Sequence, residues 1–214
     1  SADTAAGSVT LTLTTTNNGG CLPVVDQMTI TITDAPTANA GPDQTVCANN
    51  AVVTLSGSFT IATGGIWSSS GTGFFSPNNI TMGATYTPSP ADTLAGSVTI
   101  VLTTTGNGLC NAVTDTMLII ITNTPSVNAG ANTVACKNNP NVPLNGTSST
   151  GTGIWTIVSG GGSFSPSNTT LNATYMAALP ADTTAGTLIL VLTSTGNGNC
   201  LAEDDTITIT YIYK

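Results

Sequence analysis

No histidine occurs among the 214 residues, and Lys137 and Lys214 are the only cationic side chains. The first absence removes Ser–His and Cys–His nucleophile pairs and every histidine metal ligand. The second leaves no basic patch able to displace counterions from phosphates, so nucleic acid is excluded as a partner. Charge of either sign is scarce, at 6% of residues against roughly 25% in an ordinary soluble domain. What charge there is, ten acids against two lysines for a net −8, also repels an anionic membrane surface. No apolar run approaches the ~18–20 residues of a membrane span, so no direct membrane insertion is expected. The opening SADTAAGSVT has neither the basic nor the apolar region of a signal peptide, and with the repeats described next it suggests an internal piece of a longer chain.

What is abundant is Thr, Ser, Asn and Gly beside 40% hydrophobic residues. Thr and Val suit a pleated, half-buried surface, so the composition points to β-structure. Three segments match one another: Ser8–Cys21 (SVTLTLTTTNNGGC), Ser97–Cys110 (SVTIVLTTTGNGLC) and Thr187–Cys200 (TLILVLTSTGNGNC). Their closing cysteines, Cys21, Cys110 and Cys200, lie 89 and 90 residues apart. Upstream landmarks keep the period: Cys47 recurs as Cys136, Trp67 as Trp155, Phe75-Ser76-Pro77 as Phe164-Ser165-Pro166, and Ala84-Thr85-Tyr86 as Ala173-Thr174-Tyr175. A period this long is a domain and not a solenoid unit. Residues 1–33 then form the last two strands of a truncated repeat, and 34–122 and 123–214 are complete repeats. The joints DAPTANAG and NTPSVNAG are short linkers.

Within a repeat, apolar and polar residues alternate with period 2. The expected strands are Gln44–Cys47, Ala51–Gly57, Gly65–Ser69, Gly73–Ser76, Ala84–Pro88, Ser97–Thr104 and Thr114–Thr122. One capped helical turn is expected at PADTLAG and again at PADTTAG, with Asp92 and Asp182 as caps. Seven or so short strands per ~90 residues, with one Trp on the third, is the pattern of an all-β, tandem immunoglobulin-like sandwich. Trp67, Trp155, Tyr86 and Tyr175 are assigned to the cores.

The run TANAGPDQTVCANNAVVTLSG, with the paired final strands SVTIVLTTTGNGLCNAVTDTMLIIIT, resembles the polycystic-kidney-disease-type (PKD) Ig-like repeats of very large Bacteroidetes surface proteins. Gliding-motility adhesins exported by the type IX secretion system are of this kind. The resemblance implies an extracellular, cell-surface filament with an adhesive role. Its partners would be neighbouring repeats of the same chain, and surface polysaccharide or other filament subunits.

Five cysteines without histidine, the nearest pair 26 apart, make no zinc site. In a secreted chain they are disulfide candidates. Two pairings are open. One puts a bridge inside each repeat, Cys47–Cys110 and Cys136–Cys200. The other spans the joint, Cys47–Cys200. In both, Cys21 is unpaired within the chain. Topology favours the second. In an Ig-like sandwich the loop after the first strand and the loop between the last two lie at opposite poles, ~20–30 Å apart, whereas a disulfide needs Cα atoms ~6 Å apart.

No catalytic residue and no cofactor emerge. Glu203-Asp204-Asp205 reads as a solvated strand start, and domain 34–122 has no Lys for an internal isopeptide bond. Asp34 and Asp43 are weak calcium candidates, because the next repeat has Asn123 and Asn132 there and calcium sites draw on several carboxylates. The recurring triplet of Asp, Thr and a mostly apolar residue (Thr184 is the exception) is similar to the Asp–Ser/Thr–apolar O-glycosylation signal of secreted Bacteroidetes proteins. On that resemblance Thr4, Thr93, Thr116, Thr183 and Thr206 are candidate glycan carriers. The chain reads as a non-enzymatic stalk or filament segment. A carbohydrate- or protein-binding module, and a self-polymerising fibre using the 1–33 strands, are the alternatives.

Overall fold

The computed structural model describes residues 2–213, apart from the side chain of Ala5. Nearly all regular structure is strand. Residues 1–33 hold helix α1 (Ala2–Ala6), then β1 (Ser8–Thr14) and β2 (Val25–Thr31). The next repeat holds β3 (Thr37–Asn39), β4 (Gln44–Cys47), β5 (Val53–Thr54), β6 (Ser58–Thr60), β7 (Gly64–Ser69), β8 (Phe74–Ser76) and β9 (Thr85–Thr87). It ends with α2 (Pro90–Ala95), β10 (Ser97–Thr105) and β11 (Thr114–Thr122). The last holds β12 (Val127–Asn128), β13 (Thr133–Cys136), β14 (Val142–Pro143), β15 (Thr147–Ser148), β16 (Gly153–Ser159), β17 (Ser163–Ser165) and β18 (Thr174–Met176). It closes with α3 (Ala181–Ala185), β19 (Thr187–Ser194) and β20 (Asp204–Ile212).

The chain divides into two compact units that cut across the repeats. Unit 1 is Ser1–Gln44, Val53–Ser89 and Val98–Ile119; unit 2 is Thr45–Val52, Pro90–Ser97 and Ile120–Lys214. Unit 2 thus contains the whole last repeat together with three short pieces of the preceding one.

In unit 2 a four-stranded sheet of order β13-β20-β19-β16 faces a three-stranded sheet, β14-β18-β17. β13 runs parallel to β20, and the other contacts of that sheet are antiparallel. Period-2 alternation along β19 and β20 sends Leu188, Leu190, Leu192, Ile207 and Ile209 inward, where they meet Trp155 of the neighbouring β16 and Val142, Leu144 and Tyr175 of the facing side. The intervening residues stay partly or fully exposed, as expected for strands with one face against a core. Trp155 is 1% exposed and its indole Nε1 donates to the Leu171 carbonyl at 3.1 Å, so burial leaves no polar atom of the ring unpaired.

Unit 1 repeats these contacts. Trp67 pairs with Leu102 across β7 and β10, as Trp155 does with Leu192 across β16 and β19, and its Nε1 donates to the Thr81 carbonyl at 3.1 Å. Tyr86 is fully buried and its hydroxyl receives the Gly73 amide at 3.1 Å. Gly57 is there for the tryptophan, since a Cβ at that position would stand 2.4 Å from the indole.

Two features depart from the expected elements. The linker residues Thr37–Asn39 form a strand paired with Ser58–Thr60, and the hydroxyls of Thr37 and Thr60 meet at 2.7 Å. The Ala51–Gly57 strand shrinks to Val53–Thr54 with two further backbone bonds, Leu55 N–H to the Ala84 carbonyl at 2.9 Å and Gly57 N–H to the Met82 carbonyl at 3.3 Å.

The helical turn is present but Asp182 does not cap it. The residue at its N-terminal boundary is Pro180, with no side-chain cap. Gly186 closes the turn at φ +80°, donating to the Asp182 carbonyl, a left-handed position where glycine carries no Cβ penalty. The Asp182 side chain turns inward instead, where it is 1% exposed.

The hairpin β1–β2 differs from its counterparts. Its register sets Val9 opposite Ile30 and Leu11 opposite Met28, so these apolar side chains share a face. Leu11, Leu13, Met28 and Ile30 are 43–74% exposed, whereas Ile100, Leu102, Met117 and Ile119 at the same repeat positions are 0–1% exposed.

Candidate functional site

Cys47, at the end of β4, is bonded to Cys200, in the β19–β20 loop, with Cα atoms 4.9 Å apart and 153 positions of sequence between them. This excludes the alternative of one bridge inside each repeat. The bond joins the first strand of one sequence repeat to the final hairpin of the next, and all its surroundings belong to unit 2. Both sulfurs lie beside the Asn123 carbonyl oxygen, at 3.7 and 3.6 Å.

A set of amides surrounds the bridge. The Asn49 side chain donates to the Leu201 carbonyl at 3.2 Å and accepts from the Leu201 N–H at 3.1 Å. The same Nδ2 lies 2.8 Å from Glu203 Oε1, a charge-assisted bond of the stronger kind. Asn199 Nδ2 donates to the Thr45 carbonyl at 2.9 Å, and Asn50 Nδ2 to the Asn199 carbonyl at 3.4 Å. Glu203 is therefore a member of the clamp and not merely a solvated strand start. Asn49 and Asn199 went unrecognised in the sequence; the recurrence of Cys-Ala-Asn-Asn (47–50) as Cys-Lys-Asn-Asn (136–139) was a signal for Asn49, whereas Asn199 has Leu109 as its counterpart and no recurrence marks it.

Short backbone bonds pre-shape each half. On the strand side the Asn50 N–H bonds the Cys47 carbonyl at 2.8 Å, and the Ala48 N–H bonds the Thr122 carbonyl at 2.8 Å. On the loop side the Cys200 N–H bonds the Asn197 carbonyl at 3.0 Å, and Asn197 Nδ2 bonds the Ser194 carbonyl at 3.1 Å. Both bonded sulfurs thus sit on hydrogen-bonded turns.

The acids that punctuate each repeat prove to be backbone acceptors. Asp115 takes the Ala40 N–H and Asp205 the Ala129 N–H, both at 2.8 Å. They pin the Asn-Ala-Gly turns whose glycines, Gly41 and Gly130, sit at φ +88° and +92°. Asp43 takes the Leu118 N–H at 2.7 Å, and Asn132 takes the Thr208 N–H at 2.8 Å. A carboxylate and an amide thus perform one task at this position, which accounts for Asp43 without calcium. Among the described residues no cluster of three or more His, Cys, Asp or Glu could hold a metal ion, and Asp34 belongs to none.

Of the glycan candidates, Thr4, Thr116 and Thr206 are exposed and Thr93 is half-buried. Thr183 is a correction: it is 8% exposed and its hydroxyl is bound to the Pro180 carbonyl at 3.0 Å, leaving no room for a sugar. Cys21, Cys110 and Cys136 are free thiols, Cys21 exposed and the other two half-buried.

Asp182 is buried in unit 2 and accepts three hydrogen bonds. Its Oδ2 accepts from the Tyr175 hydroxyl at 2.7 Å and the Ala178 N–H at 2.8 Å, and its Oδ1 accepts from the Gly161 N–H at 2.8 Å. Burial, and next the bond to Asp182, push the Tyr175 hydroxyl well above its ordinary value of 10.0. Tyr211 is raised in the same direction, first by burial and then by the Asp182 charge. Because the folded values lie above the unfolded ones, this stabilisation is complete below pH 10 and is lost as the pH rises beyond it. Urea midpoints measured from pH 8 to 11.5 are expected to stay level to about pH 10 and then fall, with a shallower fall in Tyr175→Phe.

No family model matches the chain, and none of the curated proteins does. Among solved structures it is similar to protocadherin gamma C5 extracellular cadherin domains 1–3 (12% identity, TM-score 0.46, 99% of this chain and 80% of that one). It is also similar to mouse cadherin-23 domains 22–24 (15%, TM-score 0.38, 99% and 77%) and to protocadherin gamma B2 domains 3–6 (13%, TM-score 0.40, 99% and 60%). The chain therefore spans about three fifths of that last ectodomain piece. At such identities and scores these likenesses carry no argument about function. The all-β sandwich class stands on the strands of this chain itself.

Proposed function

We propose that the chain is a segment of an extracellular stalk or filament built from Ig-like repeats of this kind, with an adhesive role at a cell surface and no catalysis. The observation that carries this reading is the Cys47–Cys200 bridge with its Asn49, Asn199 and Glu203 bonds. Evolving a covalent staple between consecutive repeats serves stiffness and resistance to tension, neither of which an enzyme or an isolated binding module requires. Pulled from its two ends, the oxidised chain passes force from Cys47 directly to Cys200. The residues between are shielded until the bond is reduced.

Residues 1–33 fit this reading as the last two strands of a further repeat, because the face they expose is the one that the other two repeats bury. Exposed Thr4, Thr116 and Thr206 remain the candidate glycan carriers, and glycans would hydrate a surface that has so few charges. The finer assignment, to PKD-type repeats of a type IX-secreted gliding adhesin, is supported by the sequence resemblance alone.

The test is antibody labelling of intact, unpermeabilised source cells, read with a glycan array probed by the purified chain. Surface labelling on extended structures, with no array signal, is the expected result. Labelling confined to the cell interior would overturn the stalk reading. Tight binding of one glycan would move the binding-module alternative ahead.

A further inference from the structure

The free cysteines Cys136 and Cys110 are held in the geometry of the two bonded ones. At Cys136, the Asn139 N–H bonds the Cys136 carbonyl at 2.9 Å and the Lys137 N–H bonds the Ile212 carbonyl at 3.0 Å. These copy the Asn50–Cys47 and Ala48–Thr122 bonds, both 2.8 Å. At Cys110, the Cys110 N–H bonds the Asn107 carbonyl at 3.1 Å, as Cys200 does with Asn197. Asn107 Nδ2 reaches the Thr104 carbonyl at 3.3 Å, as Asn197 reaches Ser194. The Cys110 thiol donates to the Asp34 carbonyl at 3.5 Å, where Cys200 Sγ faces the Asn123 carbonyl at 3.6 Å. The Thr33 hydroxyl stands 3.6 Å from Cys110, as Thr122 stands 4.0 Å from Cys200.

We propose that Cys136-Lys137-Asn138-Asn139 and the Cys110 loop are two more halves of the same clamp, each serving a further repeat of this chain's own kind. Cys136 takes the Gly-Asn-Gly-X-Cys loop of a following repeat, and Cys110 takes the Cys-X-Asn-Asn strand end of a preceding one. The second observation that makes these more than isolated thiols is within the structure: the same two motifs, Cys47-Ala48-Asn49-Asn50 and Gly196–Cys200, are bonded to each other. Asn138 corresponds to Asn49, so it would donate to and accept from the backbone two residues before Glu203 of the incoming hairpin. Asn139 corresponds to Asn50. The Cys110 loop has Leu109 and Val113 where the Cys200 loop has Asn199 and Glu203, so the disulfide and the Asn49-type bonds to the backbone are the parts that would recur at every joint and link repeats into a stapled array.

Each new bond oxidises two thiols, which lose two protons and two electrons to a small-molecule disulfide, and this is reduced to two thiols. The inference rests on the stalk reading above, since it extends the observed joint to its neighbours.

The test is the full chain through Ile212 continued by a second copy of residues 123–214, which restores Asn123 after the last strand. The protein is reduced, then oxidised in glutathione disulfide, and its bridges are mapped by peptide mass spectrometry. The expected result is Cys47 bonded to the first Cys200 and Cys136 bonded to the second. A mapped Cys47–Cys200 bridge with Cys136 free or capped by glutathione would overturn this inference and leave the stapled joint standing. Absence of the Cys47–Cys200 bridge would overturn both. Asn138→Ala is expected to slow closure of the Cys136 bridge about tenfold, the equivalent of one or two lost hydrogen bonds. An unchanged rate would mean that chain proximity alone, and not the clamp, joins the repeats.

Discussion

Asp182→Ala is expected to destabilise unit 2 by about 3–5 kcal/mol. The carboxylate accepts from Tyr175, Ala178 and Gly161 at 2.7–2.8 Å in a place that water does not reach, with Asp182 only 1% exposed. Alanine would remove the acceptor from all three donors at once, and a buried donor left without a partner costs about 1–3 kcal/mol. The three costs are not additive, because Tyr175 and the Gly161 segment can shift together. Asp182→Asn keeps one oxygen but presents an NH2 to donors on the other side, so an intermediate loss is expected. Hydrogen exchange with mass spectrometry checks this peptide by peptide: protection should fall in β16, β18 and β19 and stay unchanged in Val53–Ser89 of unit 1. Equal loss in both units would mean that Asp182 acts on the whole chain, and no loss would mean that its bonds are replaced by water.

Removing the bridge, as Cys47→Ser with Cys200→Ser or by reduction, is expected to cost about 3–5 kcal/mol, because the closed loop is long and its closure entropy large. That loop spans 153 positions. The loss is expected to be local. The core around Trp155 has no part in the bridge, so its slowest-exchanging amides should keep protection, while the Leu201 amide, held by Asn49 at 3.1 Å, should exchange much faster. Thermal melts with and without reductant give the size of the effect, and exchange at Leu201 gives its place. A melting temperature indifferent to reductant would show that the amide clamp holds the joint unaided. A collapse of Trp155 fluorescence on reduction would show that the bridge supports the sandwich itself. Single-molecule pulling separates these outcomes further: reduction should release an additional ~500–550 Å of chain at roughly 3.3–3.6 Å per residue.

Much of this was legible in the residues. The 89- and 90-residue recurrence of Cys21, Cys110 and Cys200 gave the repeat, and alternation along SVTIVL and TLILVL gave the paired final strands, because a side-chain period of 2 must match the faces of a sheet. The lone tryptophans marked the cores, since a large ring with one polar atom is best buried with a single acceptor. The pole argument also favoured the Cys47–Cys200 pairing, since it depends only on how many strands separate two loops. The tasks of individual polar residues were less legible. Asp182 reads as a helix cap in sequence, and it is a buried acceptor because Tyr175, Gly161 and Ala178 converge on it from three segments. Thr183 reads as a glycan carrier, and it is buried because the same turn packs its hydroxyl against Pro180. Asp43 and Asn132 read as the gain and loss of a charge, and both simply accept a backbone amide.

By itself the sequence determined what is periodic and local: the all-β class, the repeat, the strand faces and the cysteine stock. Only the tertiary structure decided which polar groups meet, because those partners, such as Asn49 with Leu201 and Glu203, lie ~150 positions apart along the chain, and hydrogen bonds of ~3 Å select among them by a geometry that no local pattern encodes.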